Sequence, residues 1–192
     1  MIKIIGGIKK RTKIQISPDN VRPTSIQKRE SIFSIIENHR RKTIFDLLPK
    51  NIPRIISIGR LDFMSEGLIL LTNNGDFARK LELPSSNILR VYRVCIASNL
   101  KGDEIEKICR GVSVNGILYK KIEVIIEKIS QKKTWLKFKL REGKNREIRN
   151  ICRFFNWPIL KLIRLQYGSI KLNKEKPGQI KEIDPIPNSF MP

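Results

Sequence analysis

Histidine and cysteine are scarce in this chain of 192 residues, which contains one histidine and three cysteines. Cys95, Cys109 and Cys152 lie far apart in apolar surroundings, so we interpret them as free thiols, which persist in a reducing cytosol. A zinc site needs closely spaced Cys or His ligands, and a nucleophilic triad of the usual kind needs a histidine base. The single histidine, His39, precedes two arginines and is interpreted as a surface residue. The sequence therefore predicts no metal site and argues against His-based catalysis.

Long apolar segments are also missing. The apolar run Leu68–Leu71 is followed at once by Thr72, whereas a membrane-spanning helix needs roughly 20 apolar residues. Residues 1–7 lack an apolar segment of the length found in signal peptides. We therefore expect a cytoplasmic protein with no membrane partner. Hydrophobic residues still make up 40% of the chain, which is enough to bury a core.

Acidic residues are few relative to basic ones. The 18 Asp and Glu residues against 39 Lys and Arg residues give a formal net charge of +21. A protein this basic binds a polyanion, and nucleic acid is the commonest polyanion. The alternative, an anionic membrane surface, calls for a basic amphipathic helix or a polybasic block. The basic residues here are instead spread along the chain and lie between strand-like segments, which favours nucleic acid.

From about residue 52 onwards, the hydrophobic pattern predicts strands separated by three short helices. Helices are expected over 75–83, after the capping residue Asn74, and over 103–110 and 145–156. The expected strands occupy 54–58, 67–72, 90–97, 122–129, 134–141, 159–167, 169–172 and 179–183. Short strands at 2–5 and 13–16 are expected in the less periodic N-terminal region. Strands outnumber helices and do not alternate with them, which favours an α+β fold with a mostly antiparallel sheet.

The loop Gly59-Arg60-Leu61-Asp62 is the first candidate for chemistry. It precedes a predicted buried strand, so the carboxylate of Asp62 would stand on a rigid scaffold and remain accessible to a substrate. Arg60 would lie beside it as a donor to phosphate or to a base. The alternative is that Asp62 merely caps its own turn.

The second candidate is the basic segment 141–150, which follows a strand and opens a helix. Gly143 allows close approach of the backbone, and a helix N-terminus attracts anions. Helical spacing places apolar residues on a buried face, namely Ile148, Ile151, Cys152 and Phe155. The same spacing places Arg146, Arg149 and Arg153 on another face. This face is either a phosphate or carboxylate site, in which one arginine pairs with Asp62, or a solvated basic stripe.

Tyr92 is the third candidate. Alternation along its strand places it on the same face as Val94 and Ile96. Tyr92 is therefore either a core residue or an aromatic platform for a base at the mouth of a cleft.

Four ordered motifs resemble those of the bacterial ribosomal RNA pseudouridine synthases that modify single uridines in small- or large-subunit rRNA. The motifs lie at 59–76, 91–94, 140–149 and 162–172, and the likeness extends from about Arg41 to Ile183. The resemblance implies a pseudouridine synthase fold, with a mixed, mainly antiparallel sheet and a basic central cleft. It also implies isomerisation of a uridine to pseudouridine in ribosomal RNA, without a cofactor, by an enzyme that we expect to be monomeric.

The resemblance also assigns roles to individual residues. Asp62 matches the catalytic aspartate, and Tyr92 matches the tyrosine that stacks on the target uracil. Arg149 best matches the arginine that pairs with the aspartate, and Arg146 is the alternative. The remaining matches imply contacts with the substrate. Arg60 would fill the gap left by the flipped base, and Leu162 would form an apolar wall of the uridine pocket. The basic motif would contribute Lys144, Asn145 and Arg146.

The chain also departs from the pattern of this family. Such enzymes usually begin with a small RNA-binding domain and a strand carrying Lys-Pro-x-Gly, and neither is recognised here. Residues 1–40 are therefore interpreted as a degenerate remnant of such a domain, and residues 41–192 as the catalytic domain. Ser65-Glu66 replaces a usual Thr, and Asn150 stands where a second Arg is common. The alternatives are a catalytically impaired rRNA-binding remnant and, less in keeping with the motifs, a generic basic RNA-binding module.

Overall fold

The computed structural model describes residues 44–48, 53–62, 64–98, 100 and 102–183. The chain divides into two compact units, Met1–Ile52 and Pro53–Pro192. In the first unit, the described residues form a short 3-10 helix at Ile44–Leu47. The strands expected at 2–5 and 13–16 lie outside the described residues.

The remaining elements belong to the second unit. Its strands are β1 (Ile56–Ile58), β2 (Glu66–Gly67), β3 (Leu70–Thr72), β4 (Arg90–Ile96), β5 (Val112–Val114), β6 (Ile117–Tyr119), β7 (Glu123–Ser130), β8 (Lys133–Leu140), β9 (Ile159–Tyr167) and β10 (Ile170–Lys171). Its α-helices are α1 (Gly75–Glu82), α2 (Glu104–Arg110) and α3 (Glu147–Phe154). None of the helices in the described ranges is long and apolar enough to cross a membrane.

One large sheet organises this unit. Its strand order is β10-β9-β4-β8-β7, and each neighbouring pair is antiparallel. The short strand β2 joins the same sheet by pairing in parallel with β9. Strands β1 and β3 form a separate antiparallel pair, and β5 and β6 form a hairpin. The predicted α+β class and the mixed, mainly antiparallel sheet are confirmed.

The main core lies between this sheet and helices α2 and α3. Apolar side chains at alternate positions of β8 point inward, and Leu136 and Phe138 are fully buried there. The apolar face predicted for α3 packs on the same core and consists of Ile148, Ile151, Cys152 and the partly buried Phe155. Because β4, β9 and α3 share this core, their positions are fixed relative to one another, and these elements carry most of the candidate site.

A smaller core lies under α1, against the β1–β3 pair. Ile58, Leu70 and Leu81 are buried in it. The cap predicted at Asn74 is confirmed, because its side-chain oxygen accepts a hydrogen bond from the Phe77 backbone N–H at 2.9 Å. This arrangement fixes β1 and β3, which lie on either side of the loop that carries Asp62.

The strand predicted over 67–72 is divided in two. Gly67 adopts a φ of +103° and lies opposite Arg164 of β9, whereas Leu70–Thr72 pairs with β1. An apolar run reads as one continuous strand, but the backbone turns at Gly67 because glycine alone tolerates this φ without strain. The turn carries the chain from the large sheet to the small one.

Two further expectations differ from the structure, and one hairpin was not expected. Helix α3 begins at Glu147 rather than at residue 145, because Arg146 adopts a left-handed φ of +50°. No strand forms over 179–183; instead, a turn closes where the Gln179 N–H donates to the Lys176 carbonyl. The β5–β6 hairpin was not predicted, although its turn residues Asn115 and Gly116 are the commonest signal for one.

Replacing Gly67 with alanine is expected to destabilise the fold by roughly 2–3 kcal/mol. An added Cβ would lie 2.3 Å from the Arg164 carbonyl oxygen, so the β2–β9 pairing would have to move. Urea unfolding of Gly67→Ala measures this loss. Gly102→Ala is the matched control, because a Cβ there meets nothing within 4 Å. Equal unfolding midpoints for the two variants would contradict the argument.

Candidate active site

The predicted site residues come together around one cleft of about 370 Å³, here called the Asp62 cleft. It lies where the loop after β1, the segment between β8 and α3, and strands β4 and β9 meet. Its lining includes every residue to which the family resemblance assigns a role, namely Arg60, Asp62, Tyr92, Lys144, Asn145, Arg146, Arg149 and Leu162. Residues far apart in the sequence therefore share one concave surface.

The carboxylate of Asp62 is held by an arginine of α3. Arg149 donates from Nε to Asp62 Oδ2 at 2.9 Å, and from Nη2 to the Met64 carbonyl at 2.7 Å and to Ser65 Oγ at 3.0 Å. Arg146 is further away, with Nη1 3.6 Å from the same carboxylate oxygen. The side chain of Asp62 is 31% exposed and remains accessible from the cleft. Of the two arginines considered for this pairing, the structure places Arg149 in direct contact.

The Asp62 loop is fixed at both ends by Arg164 of β9. Its guanidinium donates from Nε to the Leu68 carbonyl at 2.7 Å and from Nη1 to the Arg60 carbonyl at 3.3 Å. Within the loop, the Ser65 N–H donates to the Asp62 carbonyl at 2.8 Å. The carboxylate of Asp62 thus points to Arg149, and it is the main chain of Asp62 that closes the local turn. The interpretation of Asp62 as a turn cap describes its backbone, not its side chain.

The predicted row of three arginines is not a single face. Arg146 stands before α3 in a left-handed conformation, whereas Arg149 lies in the helix and is directed at Asp62. Arg153, in the last turn, is exposed and does not line the Asp62 cleft. Arg146 precedes the helix and has a positive φ, so its side chain does not follow the helical spacing that relates Arg149 to Arg153.

Lys144 and Asn145 border the cleft on the loop before α3. The Lys144 ammonium donates to the Leu118 carbonyl and pairs with Glu142 at 2.7 Å. Asn150, at the position where a second Arg is common in the resembled family, donates to the Tyr119 hydroxyl at 3.0 Å. These contacts fasten the basic loop and α3 to the β5–β6 hairpin.

Tyr92 and Leu162 form the apolar side of the cleft. They lie on the adjacent strands β4 and β9, where Tyr92 is half-buried and Leu162 is 4% exposed. Both also contact the main core. The two interpretations of Tyr92 are therefore compatible, since its ring packs on the core and borders the cleft.

Two buried arginines were missed by the sequence reasoning. Arg90 and Arg164 line the cleft floor, with 8% and 2% of their surfaces exposed, and their guanidinium groups lie 4.8 and 5.3 Å from the centre of the Tyr167 ring. Tyr167 accepts a hydrogen bond from Arg90 Nη2 at 3.1 Å and donates one to the Leu81 carbonyl at 3.0 Å. An arginine at an inward position of an apolar strand was the available signal, because buried cations need dedicated partners.

Glu147, the first residue of α3, is also buried, with 3% of its surface exposed. Its Oε2 accepts the Lys144 backbone N–H at 2.8 Å, while Oε1 has no hydrogen-bond partner among the described residues. Burial raises the pKa of the Glu147 carboxyl from 4.5 to about 7, and the negative charge of Glu142 acts in the same direction. A carboxyl with a raised pKa therefore lies in the wall of the cleft.

Glu147→Gln is expected to change how stability depends on pH. Because the folded pKa is above the unfolded one, the folded state holds the proton more tightly, and stability falls as pH rises from about 4.5 through 7. Glutamine removes this loss, so the variant should gain about 2 kcal/mol relative to wild type between pH 5.5 and pH 8. Urea unfolding across that range measures it, with exposed Glu123→Gln as control. If the unfolding free energies of Glu147→Gln and wild type differed by the same amount at every pH, the raised pKa of Glu147 would be refuted.

Comparisons with known proteins identify the family to which the chain belongs. The sequence profile of the RNA pseudouridylate synthase family matches residues 8–154. A chain named uncharacterized RNA pseudouridine synthase from Rickettsia felis is 46% identical over 148 residues, which are 75% of this chain and 62% of that one. A ribosomal large subunit pseudouridine synthase E from Vibrio parahaemolyticus is 32% identical, over 80% of this chain and 70% of that one.

A ribosomal large subunit pseudouridine synthase B from Buchnera aphidicola of Schizaphis graminum is 40% identical, over 73% of this chain and 56% of that one. A crystal structure of a pseudouridylate synthase has the same fold, with a TM-score of 0.64 at 20% identity, over 71% of this chain and 60% of that one. The chain spans about three-fifths of the length of the Rickettsia and Buchnera relatives. The profile match over residues 8–154 and the 32% identity to the Vibrio relative show that the chain belongs to the RNA pseudouridylate synthase family.

Proposed function

We propose that this protein converts a specific uridine of ribosomal RNA to pseudouridine, with Asp62 as the catalytic residue. The observation that carries the proposal is the contact between Asp62 and Arg149 in a cleft lined by basic and aromatic side chains. The reaction breaks the bond between ribose C1′ and uracil N1, rotates the base, and joins C1′ to uracil C5. The proton on C5 then leaves, and N1 gains one, so that the product is an isomer of the substrate.

Asp62 would act at C1′, either as the nucleophile or as the charge that stabilises this carbon while the base is detached. Arg149 would orient the carboxylate, since the same guanidinium also holds the Met64 carbonyl and Ser65 of its loop. A carboxylate fixed in this way is preorganised for an attack that depends on distance. No cofactor is required, because the isomerisation is neither a net oxidation nor a group transfer to a second molecule.

The target base must leave the RNA stack before it reaches Asp62, which costs a few kcal/mol unless it is already unpaired. Tyr92 would stack on the extruded uracil, with Leu162 as the apolar wall behind it. Arg60 is exposed beside the cleft and would occupy the space that the base leaves. The loop before α3 would also contact the RNA, through Lys144, Asn145 and Arg146.

Ribosomal RNA is the proposed substrate class, in the cytoplasm where ribosomes are assembled. The synthases B and E among the relatives are named for the large ribosomal subunit. The net charge of +21 suits a large RNA, because phosphate contacts supply most of the sequence-independent affinity.

Pseudouridine mapping on unmodified RNA tests the substrate class. Purified protein is incubated with transcripts of both ribosomal RNAs and, as a matched control, with unmodified transfer RNA. We expect pseudouridine at one position of one ribosomal RNA and none in transfer RNA. Modification of transfer RNA alone would overturn the substrate assignment while leaving the chemistry in place.

A further inference from the structure

A second concave surface lies directly beside the Asp62 cleft. It has a volume of about 520 Å³ and is called here the Leu118 cavity. Leu140 and Glu147 line both this cavity and the Asp62 cleft, so the two surfaces adjoin at these residues. Its apolar lining includes Leu118 of β6, which is 66% exposed, and the buried residues Tyr119 and Ile122, each 1% exposed.

Basic side chains border this apolar surface, namely Arg110, Lys120, Lys121 and Arg141. Lys120 and Lys121 are exposed and form no ion pair with any other described residue. The acidic residues that line the cavity oppose this charge only weakly. Glu142 is neutralised by Lys144 at 2.7 Å, and burial favours the protonated form of Glu147 by raising its pKa. Arg110 is paired with Glu106, and Arg141 donates to the Asn87 carbonyl at 2.8 Å, so Lys120 and Lys121 are the side chains placed to bind an anion.

The cavity is also fixed in shape relative to the Asp62 cleft. The Lys144 ammonium donates to the Leu118 carbonyl, and Asn150 of α3 donates to the Tyr119 hydroxyl at 3.0 Å. The Lys120 backbone N–H donates to Glu142 at 3.1 Å. The same loop and helix thus support both surfaces, and largely pre-formed cavities of this kind are typical of ligand sites.

We propose that the Leu118 cavity binds a second, unpaired nucleotide of the RNA strand that delivers the target uridine to Asp62. The base would lie against the exposed side chain of Leu118, and the phosphate would face Lys120 and Lys121. Proteins that read RNA sequence do so mainly through unstacked bases. An apolar surface with a cationic border suits a nucleotide, which has flat apolar faces and an anionic end. The part of this proposal that concerns the target uridine rests on the proposed function.

Methyl NMR of the full chain tests the site without any need for turnover. Each nucleoside 5′-monophosphate and a short single-stranded RNA are titrated into protein labelled at Ile and Leu methyl groups. Shifts at Leu118 and Ile122 report the cavity, whereas shifts at Leu61 and Leu162 report the Asp62 cleft. We expect both groups of signals to move with the RNA.

The control probes separate the proposed ligand from others. Inorganic phosphate that moved the Leu118 and Ile122 signals as much as a nucleotide would overturn recognition of a base. An acidic peptide that moved them more strongly than RNA would overturn the choice of RNA. Movement confined to Leu61 and Leu162, or no movement, would overturn the second site.

A charge reversal at the border provides the matched comparison. Lys121→Glu is expected to weaken RNA binding about tenfold, because it removes a phosphate contact and places a negative charge beside the phosphate. Lys174→Glu changes the net charge equally at an exposed residue outside both surfaces and should have a much smaller effect. Equal weakening by the two variants would overturn the site. If the Leu118 and Ile122 signals move but no RNA is modified, the nucleotide site stands and the proposed reaction fails.

Discussion

Asp62→Asn is expected to reduce pseudouridine formation by roughly 10³-fold or more, because loss of a group that takes part directly in the chemistry has effects of this size. The amide keeps the size of the side chain and an oxygen that can accept from Arg149 Nε, but it loses the negative charge and the nucleophilic character. RNA binding should change little, since removal of one negative charge from a basic cleft does not weaken its attraction to phosphate. Single-turnover assays and equilibrium binding on the same RNA separate the two effects.

Two further variants make the Asp62 result specific. Asp62→Ala removes the carboxylate without leaving an amide that can hydrolyse back to aspartate. Asp76→Asn makes the same chemical change at an exposed position in the first turn of α1, outside the Asp62 cleft. Wild-type turnover in both Asp62 variants, with correct folding, would show that this carboxylate takes no part in the reaction.

Arg149→Met is expected to lower turnover by about 100-fold, because a misplacement of about 1 Å in a reacting group has that effect. Methionine reaches only about as far as Nε of arginine and cannot donate to Asp62, Met64 or Ser65. Arg149→Lys should recover only part of the activity, since a single ammonium group cannot reproduce the planar fork that contacts all three. Turnover, unfolding free energy and RNA affinity are measured for each variant.

Arg153→Met is the control for this series. Arg153 lies on the same helix but is exposed and outside the cleft. The Arg153→Met variant should therefore retain turnover close to that of wild type. If Arg149→Met and Arg153→Met behaved alike, the contact with Asp62 would have no role in orienting the carboxylate.

The regular elements followed from the sequence because local patterns determine them. The β7–β8 hairpin follows from alternating apolar residues, and the start of α1 follows from Asn74, whose side chain caps it. The same is true of the buried face of α3. The division of the chain into residues 1–40 and 41–192 stays a prediction, since residues 1–43 lie outside the described part of the structure.

The misplaced elements depend on backbone conformations that apolar patterns do not encode. Gly67 ends a strand within an apolar run, and Arg146 delays the start of α3 by adopting a positive φ. The dipeptide Asn115-Gly116, by contrast, is itself a sequence signal for the β5–β6 turn. Patterns of side-chain polarity therefore located the core correctly but missed the points where the backbone changes direction.

For the candidate site, the motifs identified the residues that surround Asp62. The sequence could not show which contacts fix the Asp62 carboxylate and its loop. The choice between Arg149 and Arg146 required the distances to the carboxylate, 2.9 and 3.6 Å. Arg164 was not predicted, because its role is to hold the backbone on either side of Asp62 through carbonyl groups, which carry no sequence signature.

The most direct test of the central claim is tritium release from unmodified ribosomal RNA labelled at C5 of uridine. Formation of the bond between C1′ and C5 displaces the C5 hydrogen, so each conversion releases one tritium into water. The account predicts release by the wild-type chain, matched by pseudouridine in the digested RNA, and none by Asp62→Asn. A folded wild-type chain that binds this RNA but releases no tritium and leaves no pseudouridine would contradict it, and would favour an RNA-binding remnant without catalysis.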